Sequence, residues 1–252
     1  MTTKTDWLIP EWPVPAHIRA VSTTRSGGVS EGSWLGLNLA MHVEDEPQKV
    51  QANRDRLIES LGLTCPPHWL TQVHGKRVCE LPADNECEAD AASTTQPGQA
   101  CVVMTADCLP VLFTDVQGRR VAAAHAGWRG LAAGVLEASV QKFARAEQVM
   151  AWLGPAIGPQ AFEVGDEVRE AFVQQHAEAG RAFVQNRPGH WLADIYELAR
   201  IRLDAAGVRQ VYGGGLCTYS DAQRFYSFRR DRITGRMASL IWIEQEDGND
   251  NG

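Results

Sequence analysis

Several common signatures are missing from this 252-residue chain, and each absence removes a class of protein. No apolar run approaches the roughly 20 residues that a bilayer-crossing helix needs. The opening stretch, MTTKTDWLIPEWPVP, lacks the long apolar segment and cleavage site of a secretory leader. No basic cluster is longer than Arg229–Arg230 and the formal net charge is −7, so the phosphate-neutralising face that duplex nucleic acid requires is not encoded. No GxGxxG follows a first strand, which leaves a dinucleotide-binding fold without support. The six cysteines, Cys65, Cys79, Cys87, Cys101, Cys108 and Cys217, form no CxxC pair and no framework spacing. A structural zinc knuckle is therefore disfavoured, and a reducing, cytoplasmic setting is expected. There is no internal repeat and no low-complexity segment.

What is present is enough apolar material, 44% of residues, to bury a sizeable core. The chain is organised around 101–130, CVVMTADCLPVLFTDVQGRRVAAAHAGWRG. Val102–Met104, Leu109–Phe113 and Val121–Ala124 are short apolar runs bounded by turn signals and read as buried strands. Asp107 and Cys108 fall between the first two. His125 arrives as the third ends, followed by small residues that permit close backbone approach.

Elsewhere, Ile18–Thr24 reads as a strand that runs into the glycine pair beside Arg25. Pro47 to Leu61, stopped by Gly62, reads as a helix with Val50, Leu57, Ile58 and Leu61 inward. A strand ending at His74 and a second over Arg77–Leu81 predict a hairpin. Residues 82–99 are polar and turn-rich and predict a mobile surface loop in which Asp90 is flanked by alanines. Further expectations are a helix over 129–146, a strand over 149–153, a helix over 167–175, and a helix capped by Asp194 with Glu197 closing a capping box. Strands are expected over 210–212, 216–219, 225–229 and 237–243, and a disordered tail over 244–252. Close hairpins mixed with intervening helices predict an α+β fold with mixed and antiparallel sheets covered by helices.

His74, Cys108 and His125 share one pattern, each ending a predicted buried strand at a turn or glycine. Two imidazoles and a thiolate suit Zn²⁺ with one open position. The same residues permit a cysteine nucleophile, Cys108, with a histidine base and Asp107 or Gln72 as orienter. They also permit copper if Met104 or Met41 is axial, although the chain has no HxH pair for a multicopper set. Without any such chemistry, Cys108 is an apolar filler and each histidine satisfies a local hydrogen bond.

Thr71-Gln-Val-His-Gly, Ala106-Asp-Cys-Leu-Pro, Ala124-His-Ala-Gly-Trp-Arg-Gly, Gly154-Pro-Ala-Ile-Gly-Pro and Cys217-Thr-Tyr-Ser with Phe225-Tyr-Ser-Phe-Arg-Arg-Asp closely resemble the YfiH / laccase-domain family, in family order from about Ser22 to Trp242. The resemblance implies a single α/β/β/α sandwich domain over 1–252, similar to the catalytic domain of cytotoxic necrotizing factor, with its core over about 18–243. It implies a metal, usually zinc with copper as the other possibility, on His74, Cys108 and His125. It implies phosphorolysis of adenosine, inosine, guanosine and methylthioadenosine, with adenosine deamination as a second activity. Polyphenol oxidation and editing of peptidoglycan precursors are the other activities attached to the family. On this reading Asp107 accepts a proton or orients a neighbour, phosphate lies against Arg25 or Arg229, and Phe225 or Tyr226 stacks the base. Asn38 and Gln72 complete the substrate-binding set. The expected partners are purine nucleosides and phosphate, with neither nucleic acid nor membrane, for a monomer or weak homodimer.

Overall fold

Three consecutive strands, Cys101–Thr105, Leu109–Asp115 and Val121–Ala126, are buried along their whole length. Each must therefore be covered on both faces, and the architecture follows from that requirement. The protein is described by a computed structural model over residues 6–245. In chain order its first half contains β1 (Ile18–Ser22), α1 (Pro47–Leu61), β2 (Val78–Glu80), β3 (Ala91–Thr94), β4 (Cys101–Thr105), β5 (Leu109–Asp115) and β6 (Val121–Ala126). There follow α2 (Trp128–Ala133), α3 (Val135–Val140), β7 (Val149–Leu153), β8 (Glu163–Gly165), α4 (Asp166–Val173), β9 (Phe183–Arg187) and β10 (His190–Ala193). The last elements are α5 (Ile195–Ala205), β11 (Gln210–Gly213), α6 (Phe228–Asp231) and β12 (Met237–Ile243).

A six-stranded mixed sheet, β11-β7-β5-β6-β3-β2, faces a three-stranded antiparallel sheet, β1-β12-β4. The alternation of side chains along each strand assigns the layers. Val111, Phe113, Ala122 and Ala124 point away from the smaller sheet and pack with Leu131, Leu136, Leu198 and Ile201 of the helices. Leu112, Val121 and Ala123 point the other way, against Cys101, Val103 and Ile241. On its outer face the smaller sheet packs Val102, Met104 and Leu240 against Leu57 of α1. The order is thus α/β/β/α, and burial of each such side chain stabilises it by about 1.5–3 kcal/mol. A third sheet, β8-β10-β9, flanks α4 and adds Val164 and Phe183 to the helical layer.

Several sequence expectations are corrected. The helix expected over 129–146 is two short helices, broken where Gly134 takes φ +99°. The expected hairpin does not form: β2 pairs in parallel with β3, and the chain before His74 makes only an isolated bridge, Thr71 to Glu88. The expected loop over 82–99 contains β3, entirely buried. Its polarity misleads because Ser93 and Thr94 donate their hydroxyls to Glu80 Oε2 (2.9 Å) and the Leu81 carbonyl (3.0 Å), which permits burial. The strands expected over 216–219 and 225–229 are a bridge at Cys217, turns, and α6. There Ser227 caps the N–H of Arg230, and the Arg230 guanidinium donates to the carbonyls of Thr218, Tyr219 and Phe225. Asp194 caps α5 as expected, but Glu197 pairs with Arg181 at 2.6 Å and closes no capping box. Cys79 and Cys87 are joined as a disulfide, while Cys65, Cys101, Cys108 and Cys217 are free, so the absence of framework spacing concealed a pair. Of the expected tail, 246–252 lies outside the described residues, whereas Glu244 is fixed by its N–H to the His17 carbonyl (2.7 Å) and by Arg19 (2.8 Å). Among the described residues no helix is long and apolar enough to cross a membrane.

A Cβ at Gly134 would meet only side-chain atoms of Glu137 and Arg202 at 3.5 and 3.6 Å, so conformation rather than space restricts the position. Gly134→Ala is expected to lower unfolding stability by about 1–2 kcal/mol, the cost of a left-handed L-residue, read as a reduced urea midpoint.

Candidate metal centre

The chain leaves the smaller sheet at the end of β4 and enters the larger one at the start of β5, and 106–108 make that crossing. Asp107 turns it with φ +93°, a conformation that non-glycine residues seldom adopt. Cys108 is thereby left at the seam between the sheets. One strand over, the β5–β6 register sets Leu109 opposite Ala126 and Pro110 opposite His125. The next residue, Gly127, lies against Cys108, and a Cβ there would stand 2.9 Å from both Cys108 Sγ and His74 Cδ2. Glycine at this position leaves the space between the two side chains open.

His74 comes from the irregular segment before β2 and holds φ +61°. Asp90 imposes this shape. Its carboxylate, with no exposed surface, accepts the backbone N–H groups of Val73 (3.2 Å), His74 (2.9 Å) and Gly75 (2.6 Å). The same carboxylate is 2.8 Å from His125 Nδ1, and the Asp90 carbonyl accepts the His125 N–H at 2.7 Å. With Nδ1 held, His125 presents Nε2 to the centre. The His74 and His125 rings meet edge to face, with centroids 4.7 Å apart. Asp90 is the site residue that the sequence reading missed; the signal was an acid set between two alanines, read there as part of a loop.

Electrostatics favour a charged pair. Burial opposes the Cys108 thiolate, but the charge of His125 and hydrogen bonds from His125 and His74 outweigh it and bring the thiol down to about 6. Burial likewise pushes His125 down, yet Cys108 and Asp90 carry it up to about 9. Asp90 lies below the usual carboxylate range, burial being overcome by His125 and the N–H groups of Gly75 and His74. Both shifts favour the charged forms, thiolate on Cys108 and imidazolium on His125.

The donor set fits a metal ion. Donor atoms of His74, Cys108 and His125 all lie within 4.8 Å of one another, and Cys108 Sγ is 3.8 Å from His74 Nε2. Tetrahedral zinc with Zn–N and Zn–S bonds near 2.1 and 2.3 Å sets its donors about 3.5 Å apart. Among the described residues this is the one such group, so a full multicopper set is not assembled.

The other expected site residues stand at different distances from this centre. Asp107, 8% exposed, accepts the Thr218 hydroxyl and the Arg229 N–H, both at 2.6 Å, and so forms part of the wall. Gln72 fills the free edge of β4, exchanging two 2.8 Å hydrogen bonds with the Met104 backbone. Arg25 donates to the carbonyls of Leu35 and Ala222 and stacks on Tyr226, and Arg229 donates Nη1 to the Glu163 carbonyl. Asn38 is fully buried, its amide shared among Ala40, Asp45 and the Arg236 N–H. Phe225 and Tyr226 are fully buried with Ala106 and Met237, and the Tyr226 hydroxyl donates to the carbonyls of Trp34 and Leu35. The strand register expected to expose one of these aromatics does not exist, and neither ring is open to a ligand.

Fold and centre together define an α/β/β/α sandwich protein with a His/Cys/His group that could hold a metal ion at the seam of its two sheets. The chain belongs to the multi-copper polyphenol oxidoreductase laccase family, whose model matches residues 19–244. A Pseudomonas aeruginosa protein named purine nucleoside phosphorylase is 59% identical over 94% of this chain and 98% of its own length. An Escherichia coli K12 protein, purine nucleoside phosphorylase YfiH, is 54% identical over the same shares. Among solved structures, a Neisseria meningitidis protein superposes with a TM-score of 0.93 at 46% identity, covering 95% of this chain and 100% of that one. YlmD from Geobacillus stearothermophilus superposes at 0.90 with 31% identity, covering 97% and 98%.

Two outcomes follow for this centre. Asp90→Asn is expected to weaken zinc binding by about 10–100-fold, measured by chelator competition, because His125 and the 73–75 turn lose their common anchor. In metal-free protein, iodoacetamide modification of Cys108 is expected to accelerate as pH rises through about 6 and then level off, whereas an ordinary thiol keeps gaining toward about 8.5. Loading zinc before the reagent suppresses the reaction.

Proposed function

We propose that this chain is a zinc-dependent purine nucleoside phosphorylase. The observation that carries the reading is the His74/Cys108/His125 group, its donor atoms within 4.8 Å of one another, in a chain whose relatives bear that name. Of the two methionines that could serve copper axially, Met104 packs under α1 with Leu57, and the His/Cys/His set is of the kind that zinc takes. When bound, zinc supplies Lewis-acid polarisation of a substrate oxygen.

The protein's own part is positional. In phosphorolysis the bond from the purine ring nitrogen to the sugar C1′ breaks and a phosphate oxygen bonds C1′. The base leaves with the electron pair and takes up a proton. Holding both reactants beside one rigid seam replaces a bimolecular encounter, which is where most of the acceleration resides. Asp90 keeps His125 and His74 in one geometry. Asp107, held by Thr218 and Arg229, keeps the crossing loop from shifting. For the base, Phe228 takes the place expected of Phe225 or Tyr226: it is 47% exposed, adjoins Arg229, and lies under Arg236. An exposed aromatic face of this kind stacks a purine without sequence-specific contacts. Adenosine deamination, as a second activity, is assigned to the same centre.

The test pairs metal analysis with turnover of inosine and phosphate. About one zinc per chain and the appearance of hypoxanthine with ribose 1-phosphate support the reading; zinc without phosphorolysis overturns it. His74→Ala and Cys108→Ala are expected to lose zinc and at least about 100-fold in turnover while retaining the circular dichroism spectrum. Release of ammonia from adenosine reports the second activity.

A further inference from the structure

The cationic side chains around the seam are unequally satisfied. Arg25, Arg229 and Arg230 donate to backbone carbonyls. Arg236 makes bonds of the same kind and is set apart by its place. It immediately precedes β12, whose Met237 pairs with Thr105 of β4, so it lies across from the 106–108 crossing that carries Asp107 and Cys108. Its backbone is fixed on both sides, the N–H donating to Asn38 Oδ1 at 3.0 Å and the carbonyl accepting the Leu39 N–H at 3.3 Å. Nη1 donates to the carbonyls of Thr234 and Gly235 at 2.9 and 3.0 Å. Among the described residues Nε and Nη2 meet no protein acceptor, and no carboxylate forms an ion pair with the group.

Asp107 makes no ion pair with it, its two carboxylate oxygens being engaged by the Thr218 hydroxyl and the Arg229 N–H. The segment that buttresses Arg236 continues to His42, and Arg54 is held nearby with Nε on the Leu39 carbonyl (2.9 Å) and its guanidinium 4.0 Å over Trp69. The three groups share one field: burial depresses the His42 pKa, and the charges of Arg236 and Arg54 depress it further. Burial also depresses Arg236, against the opposing charges of Cys108 and Asp107. A half-buried guanidinium without a counter-ion is costly unless an anion completes it. The free edge of a guanidinium fits two oxygens of one phosphate.

We propose that Arg236, with His42 beside it, is the anion anchor of the metal centre and holds inorganic phosphate. The inference rests on the phosphorylase reading for the role of that phosphate, and it moves the anchor away from Arg25 and Arg229.

The experiment is calorimetric titration of zinc-loaded protein with inorganic phosphate in the absence of nucleoside, followed by steady-state kinetics. Arg236→Gln is expected to weaken phosphate binding at least about tenfold, the loss of a charge-assisted contact, and His42→Gln about threefold, with zinc content unchanged. The phosphate KM rises in parallel. His42→Gln, at an exposed position, and Arg236→Lys serve if Arg236→Gln does not fold; Arg236→Lys retains charge but loses the fork and gives an intermediate affinity. Wild-type protein that binds no phosphate, or variants that bind it as wild type does, overturn the anchor. Arg236-dependent phosphate binding without inosine cleavage supports the anchor and overturns the phosphorylase reading. Phosphorolysis with a phosphate KM indifferent to these substitutions does the reverse.

Discussion

The Asp90 carboxylate joins segments that the sequence keeps far apart. It accepts three successive backbone N–H groups at 73–75 and holds the His125 ring 35 positions further along the chain. A carboxylate removed from water is tolerable only when its lone pairs are filled, and here the N–H groups and an imidazole fill them. The consequence is geometric: the left-handed backbone at His74, the orientation of His125 and the charge state of Cys108 all depend on the same two oxygens. Removing the acid would release the turn, the tautomer and the thiolate together.

The layered architecture explains why this arrangement can be rigid. β3, β5 and β6 lie in the larger sheet and β4 in the smaller one, and the core between them is made by Leu112, Val121 and Ala123 against Cys101, Val103 and Ile241. Donor side chains set at the ends of such strands inherit the stiffness of the packed interior. The same seam gathers the arginines Arg229 and Arg236 near the 106–108 crossing.

Much of this was legible in the residues. The continuous apolar runs at 101–126 announced buried strands, and His74, Cys108 and His125 could be grouped, although His74 ends no strand and His125 lies within β6. The termini of α1 were readable from Pro47 and Gly62, and the start of α5 from Asp194. What the sequence concealed was burial achieved by polar residues. β3 is Ala-Ala-Ser-Thr, whose hydroxyls find carbonyl and carboxylate partners only in the folded state, so its polarity read as a loop and hid Asp90 with it. The aromatic and basic alternation at 225–230 matched a strand equally well on paper. Capping by Ser227 and the three carbonyls gathered by Arg230 decide for turns and α6, and they leave Phe228 outside while Phe225 and Tyr226 go in.

Although the crossing at 106–108 passes from one sheet to the other, the three donors are all placed by the larger sheet and the turn tied to it. Cys108 is placed by the junction of β4 and β5, His125 by β6, and His74 by a turn that depends on Asp90 at the edge of β3. A nascent or partly opened chain presents scattered thiol and imidazole groups with no shared geometry. An ion held there would add its binding free energy only to chains in which β3, β5 and β6 have already paired. Such an ion would act as a latch on the larger sheet, closing only after its central strands have met.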